Sequence, residues 1–105
     1  MKRRAPDPRE HEPPDAVAGL AQAIARLRDP QQVAAFLQDL CTPAELEAMT
    51  DRWRVVPLLL QGVPYREIHD RTLVSVTTIG RVARTLDHGA GGYAAAVERG
   101  SDRAS

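Results

Sequence analysis

Apolar residues recur every three or four positions along most of the chain, which is the spacing of amphipathic α-helices. The first stripe predicts a helix over roughly residues 16–28, capped by Asp15, and consists of Val17, Leu20, Ile24 and Leu27. Asp29 and Pro30 stop that helix and begin a second one, which runs to about residue 40. We expect the second helix to bury Val33, Phe36, Leu37 and Leu40.

A third helix is predicted to begin at Thr42-Pro43-Ala44-Glu45, a capping box with proline at the first helical position. It continues to about residue 61, where Gly62 ends it, and Pro57 should kink it. Residues 55–60 are apolar nearly all round, so we expect them to be covered on every side, in a chain this short by a second subunit. The expected inner face of the helix is Leu46, Met49, Trp53, Val56 and Leu60.

Two short helices joined by a tight turn are predicted next. The first covers residues 65–71, residues 72–74 make the turn, and Ser75 caps the second helix, which spans residues 76 to about 88 and ends at Gly89. Strand signals are absent. The expected fold is therefore all-α, with about six short helices that include a helix-turn-helix.

The two ends of the chain differ from its middle. Residues 1–14 mix charge with proline and predict a disordered arm, and residues 100–105 predict a disordered tail. A single domain is expected over residues 15–99, closed by a last short helix that begins at residues 91–93.

The helix that starts near Val76 has the composition of a DNA recognition helix. Ile79, Val82 and Leu86 would face the core, while threonine and arginine side chains on the outer face can bond base edges or phosphates. Exposed N–H groups at its start and arginines on the preceding helix would hold the sugar-phosphate backbone. The expected DNA-binding residues are Arg66, Arg71, Ser75, Val76, Thr77, Thr78, Gly80, Arg81 and Arg84.

Charge is distributed unevenly along a chain whose formal net charge is zero. Residues 1–51 carry six Lys or Arg and nine Asp or Glu, whereas residues 52–105 carry eight and five. A local basic region on a neutral protein suits a DNA contact face, although the same arginines could equally be a solvated helix surface.

Several function classes are disfavoured. No stretch approaches the roughly 20 apolar residues of a membrane span, and the N-terminus lacks a signal-peptide core, so the expected location is the cytoplasm. Cys41, the only cysteine, lies in an apolar run and is expected to be a buried small hydrophobe. The three histidines, His11, His69 and His88, lack metal-ligand spacing, so we expect no enzyme, metal or cofactor.

Spaced motifs over roughly residues 17–98 resemble the Trp repressor family, and within it the YerC/YecD branch. The resemblance implies an all-helical, intertwined homodimer that binds double-stranded DNA and regulates transcription, as a repressor acting by occlusion. The motifs are Thr42-Pro43-Ala44-Glu45, Arg52, Gly62, Tyr65-Arg66-Glu67-Ile68, Thr78-Ile79-Gly80-Arg81-Val82, Leu86 and Gly89-Ala90-Gly91-Gly92-Tyr93.

The same resemblance implies a candidate ligand site for tryptophan or a similar aromatic amino acid. In the Trp repressor, two arginines hold the indole, a hydroxyl contacts the ligand backbone and a threonine forms part of the wall. The matching positions are Arg52 and Arg81 for the arginines, Thr85 for the hydroxyl and Thr42 for the wall threonine. Each also has a simpler role, such as helix capping for Thr42 or phosphate binding for Arg81. The YerC/YecD branch implies no tryptophan ligand, so the small-molecule effector stays open.

Three residues depart from the family pattern. Leu73 stands at a turn position where the family usually has glycine, and a leucine at positive φ is strained. Gly80 replaces a small hydroxyl residue, which weakens a helix by up to ~1 kcal/mol relative to alanine. Pro57 replaces a helix former. These departures keep open a dimeric protein-interaction module whose DNA surface has decayed.

Overall fold

The computed structural model describes residues 13–104 as six α-helices, with no strand among those residues. This confirms the all-α class and the number of helices. The chain divides into two compact units between Thr42 and Pro43. The helices are α1 (Pro13–Ala25), α2 (Pro30–Leu40), α3 (Pro43–Leu60), α4 (Tyr65–Thr72), α5 (Val76–His88) and α6 (Gly92–Ala104).

The first unit contains α1 and α2, and its boundaries correct the prediction for α1. That helix begins at Pro13, two residues inside the predicted arm, so Asp15 lies in its first turn and is not its N-cap. The rest of the arm, residues 1–12, lies outside the described residues. The helix ends at Ala25 because the next residues form a cap for α2: Gln32 N–H donates to Asp29 Oδ1 and Arg28 N–H donates to Gln32 Oε1, both at 2.9 Å. Asp29 is thus the N-cap of α2, as predicted.

Neither predicted stripe of the first unit is fully buried. In α1, Val17 is 65% exposed and Leu20 is also exposed. In α2 no residue is buried, and Leu40 is exposed although it was predicted to be inside. Two short helices offer too little surface to cover both stripes. Cys41, expected to be buried, is half-buried.

The second unit is built around a small core of valine and isoleucine. Helices α3, α4 and α5 pack against one another, and α6 contacts α3. Leu58, Leu59 and Leu86 are among the partly buried residues around this core. The buried residues of this core are Val55, Val56, Ile68, Val74, Ile79 and Val82.

The predicted inner face of α3 is only partly correct. Val56 is buried, but Met49, Leu60 and Trp53 are exposed, and Trp53 lies beside Tyr93 with 6.5 Å between ring centroids. Val55, which lies outside that predicted face but within the segment expected to be covered on every side, is fully buried. Because residues 55–60 are apolar nearly all round, the packing of α4 and α5 decides which side is covered, and periodicity cannot.

The remaining helix ends follow local signals with one exception. Gly62 ends α3 at φ 80°, and the N–H of the next residue bonds to Leu58 O at 3.0 Å. The structure shows α3 continuous through Pro57, and the expected kink stays a prediction. The exception is α6, which extends to Ala104 through most of the predicted tail.

Candidate nucleic-acid interface

The turn between α4 and α5 spans residues 73–75 and contains an unusual backbone conformation. Leu73 has φ 65° and ψ 8°, and it is the one residue other than glycine with positive φ in residues 13–104. Its N–H donates to His69 O at 2.7 Å, which closes the end of α4. The turn therefore keeps a left-handed residue even though leucine occupies it, at a cost of roughly 1–2 kcal/mol.

Neighbouring groups fix this turn on both sides of Leu73. Arg54 Nη2 of α3 donates to Thr72 O at 3.0 Å, and Val74 N–H donates to Thr72 Oγ1 at 3.1 Å. His69 Nδ1 lies 2.8 Å from Val74 O, so this nitrogen carries the proton and donates it. Val74 itself is buried in the core. The strained conformation of Leu73 is thus stabilised by hydrogen bonds of the neighbouring residues and not by contacts of its own side chain.

Ser75 caps α5 as predicted. Its Oγ accepts a hydrogen bond from Thr78 N–H at 3.1 Å, and its hydroxyl lies 3.1 Å from Thr78 Oγ1. Ile79 N–H bonds to Ser75 O at 3.0 Å. The first helical N–H groups, those of Val76 and Thr77, have no intrahelical acceptor and so remain available to an anion.

Helix α5 has two distinct faces. Ile79 and Val82 are fully buried, which confirms the predicted inner stripe. The opposite face exposes Val76, Thr77, Arg81 and Arg84, whereas Thr78 and Gly80 are half-buried. The side chains with hydrogen-bonding or charged groups therefore lie outward while the aliphatic ones anchor the helix.

The candidate arginines are not equivalent. On α4, Arg71 Nε donates to Glu67 Oε2 at 3.1 Å, and the two side chains form an ion pair. Arg66, Arg81 and Arg84 form no ion pair with any carboxylate in the described part of the chain. Three of the four arginines are thus outside any ion pair, although Asp70 lines the same cleft as Arg66 and Asp87 the same cleft as Arg84, and the charge of Arg71 is partly offset.

Tyr65, for which the sequence predicts no role, lies against α5, the candidate recognition helix. A Cβ atom at Gly80 would be 4.0 Å from Tyr65 Cε2, an ordinary contact distance. This contact joins the start of α4 to the second turn of α5. No pattern in the sequence pairs these two residues, which are 15 positions apart.

Two open clefts flank the Tyr65 ring. The first has a volume of about 520 Å³ and is lined by Tyr65, Arg66, His69, Asp70 and Val76. The second has a volume of about 390 Å³ and is lined by Tyr65, Gly80, Ala83, Arg84, Asp87 and His88. Tyr65 is therefore common to a cleft that contains Arg66 and one that contains Arg84.

The residues proposed for an aromatic ligand line neither cleft. Thr42 precedes α3, Arg52 is half-buried on α3, and Arg81 and Thr85 are exposed on α5. Thr85 Oγ1 donates to Arg81 O at 3.1 Å, so its proton is used within the helix. Among residues 13–104, no group of three or more His, Cys, Asp or Glu side chains is placed to hold a metal ion, and no helix there is long and apolar enough to cross a bilayer.

Known proteins of similar sequence and structure match most of the chain. The family model described as Trp repressor protein matches residues 16–101. Uncharacterized protein YerC of Bacillus subtilis (strain 168) is 35% identical over 80 residues, which are 76% of this chain and 77% of YerC. The crystal structure of a TrpR-like protein from Eubacterium eligens ATCC 27750 matches with a TM-score of 0.76 and 34% identity, covering 87% of this chain and 93% of that one.

Proposed function

The chain belongs to the Trp repressor family, in its YerC/YecD-like branch, and we propose that it is a sequence-specific DNA-binding transcriptional regulator of the cytoplasm. In this proposal α4, the turn and α5 form a helix-turn-helix, and α5 enters the major groove. Binding represses transcription by occluding the site, and the chain catalyses no reaction.

The exposed face of α5 is the observation that carries the proposal. Arg81 and Arg84 lie there without a described carboxylate partner, while Ile79 and Val82 lock the opposite face into the core. A rigidly anchored helix that exposes two arginines suits a groove lined by phosphates.

Roles follow from position along the two helices. Thr77 and Arg81 contact base edges, since residues near the start of a recognition helix reach deepest, and the exposed Val76 side chain can contact a thymine methyl. Arg66 and Arg84 contact phosphates. Backbone N–H groups at the start of α5, next to the Ser75–Thr78 cap, bind a further phosphate. Arg71 contributes less because it is paired with Glu67.

The functional unit in this proposal is an intertwined homodimer. Both compact units leave large apolar side chains exposed, including Val17 and Leu40 in the first and Met49, Trp53 and Leu60 in the second. A second copy of the chain would cover them and add to a core too small for a stable monomer. Two-fold symmetry would then place paired recognition helices about one DNA turn apart, ~34 Å.

Selection of bound fragments from random double-stranded DNA tests the proposal directly. The full chain should enrich a pseudo-palindromic sequence, and affinity for it should fall as salt rises. A chain that enriches no sequence at any salt concentration would instead be a dimeric protein-interaction module. Calorimetric titration with L-tryptophan, with and without the selected DNA, distinguishes a regulator that responds to an aromatic amino acid.

A further inference from the structure

Gly80 occupies a position on α5 that has no side chain of its own and yet is half-buried. Tyr65 lies next to it, since its Cε2 atom would be 4.0 Å from a Cβ at that position. An aromatic side chain of α4 is therefore within contact distance of the second turn of α5, at a point where α5 has no side chain of its own.

We propose that Tyr65 determines part of the DNA sequence preference by supplying, at the position of Gly80, the base contact that α5 cannot make itself. The proposal rests on the proposed function. Tyr65 lies outside the recognition helix. In this proposal it faces the base pair that Gly80 was expected to face.

The position of Tyr65 favours this role. Tyr65 lines one cleft with Arg66 and Asp70 and a second with Arg84 and Asp87, and the two arginines are the ones proposed to contact phosphates. DNA held by both arginines would therefore pass close to Tyr65. Packing against α5 also fixes the ring before DNA arrives.

The chemistry of the side chain suits base recognition. Tyr65 is 43% exposed, and its hydroxyl forms no hydrogen bond with any residue in the described part of the chain. A phenol can donate to the O6 or N7 of guanine, or accept from the amino group of adenine or cytosine. Its two torsions lose little conformational entropy when bound, which is why tyrosine serves well in recognition surfaces.

The decisive variant is Tyr65→Phe, which removes the hydroxyl and keeps the ring over Gly80. Binding of the full-length parent and variant is measured on the parent's selected site and on every single-base change of it. We expect the variant to lose about tenfold in affinity for the selected site, and to lose preference at one symmetric pair of positions. The salt slope should stay that of the parent, because no charge is removed.

Two further variants serve as controls. Tyr93→Phe removes the hydroxyl of the chain's other tyrosine, which lies beside Trp53 and outside the proposed interface, so it should keep the parent's preference at every position. Arg66→Ala should weaken all sequences alike and lower the salt slope by about one unit. Far-UV circular dichroism and sedimentation establish that each variant retains the parent's fold and assembly.

The outcomes separate the two proposals. If the parent selects a sequence and Tyr65→Phe binds it with the same affinity and preference, the assignment of Tyr65 is wrong while the DNA-binding function stands. A uniform loss over all sequences would show a phosphate contact and overturn the role in specificity. If the parent shows no preference, the proposed function fails and the role of Tyr65 fails with it.

Discussion

The guanidinium of Arg54, on α3, donates a hydrogen bond to the main-chain oxygen of Thr72 at 3.0 Å, where α4 ends. The last carbonyls of a helix lack intrahelical partners, so this bond satisfies one of them. It also ties the start of the turn to the longest helix of the unit. Arg54 Nη1 lies 3.6 Å from Asp51 Oδ1, an ion pair that helps to orient the guanidinium.

The first prediction concerns this bond. Arg54→Ala should lower the free energy of unfolding by about 1 kcal/mol, the usual net value of a hydrogen bond at a partly exposed site. Arg84→Ala, which removes an exposed arginine without a described partner, should change it by less than about 0.5 kcal/mol. Urea denaturation of both variants measures the difference, and equal effects would show that the Arg54 bond contributes nothing.

The second prediction concerns the left-handed residue of the turn. Leu73 has φ 65° and is 80% exposed, so its side chain gains little from packing. Leu73→Gly should raise the free energy of unfolding by about 0.5–1 kcal/mol, because relief of the strain exceeds the added entropy of the unfolded chain. Leu73→Ala keeps the strain and should leave stability close to that of the parent. A glycine variant no more stable than the alanine variant would contradict this account.

The third prediction concerns the residue after α5. A Cβ at Gly89 would lie 2.6 Å from Thr85 O and 2.8 Å from Thr85 Cγ2, too close for either atom. Gly89→Ala should therefore reduce stability by about 1–3 kcal/mol, since the backbone must shift. The matched control is Gly92→Ala, where nothing lies within 4 Å of the added atom. Thermal unfolding of both variants, followed by circular dichroism, should separate them by several degrees.

The fourth prediction separates the roles of two exposed arginines in DNA binding. Arg81→Ala should cost about 1–3 kcal/mol on the selected site and relax preference at one position, because it removes a base contact. Arg66→Ala should weaken selected and unselected DNA alike, and it should reduce the salt slope by about one unit. Fluorescence anisotropy over a salt series measures both. A correctly folded Arg81→Ala chain with unchanged preference and salt slope would refute the base-reading role.

The fifth prediction concerns assembly. At low micromolar concentration, sedimentation should report about twice the chain mass of 11.5 kDa. Leu20→Asp places a charge on the exposed apolar stripe of α1 and should shift the chain toward monomer or unfolded protein, whereas Gln22→Asp, at an exposed polar position of the same helix, should not. A folded, stable monomer of the parent would exclude the obligate dimer.

Signals confined to a few neighbouring residues predicted much of the fold. Asp29 with Pro30, Pro43, Gly62 and Ser75 each marked a helix end that the structure confirms. These residues act through their own backbone or through a hydrogen bond to a residue close in sequence, so their effect does not depend on the rest of the chain. The buried stripe of α5 could also be predicted from the sequence, because that helix is strongly amphipathic.

Contacts between distant parts of the chain could not be predicted in the same way. The choice of Val55 over Trp53 as a core residue depends on which side of α3 is packed by α4 and α5. The bond from Arg54 to Thr72 joins residues 18 positions apart, and the ring of Tyr65 reaches Gly80 from another helix. Neither relationship has a periodic signature, so both require the three-dimensional structure.

All six buried core residues of the second unit are branched at Cβ, four valines and two isoleucines. Side chains branched at Cβ lose few rotamers on folding and have few alternative rotamers once packed. The core therefore holds α5 rigidly in place. The helix then needs little rearrangement when a ligand binds. The conformational entropy lost on binding comes mainly from the long arginine side chains on its surface. Under the proposed function, substitutions of those surface residues can change the DNA sequence preference during evolution while the buried core stays the same.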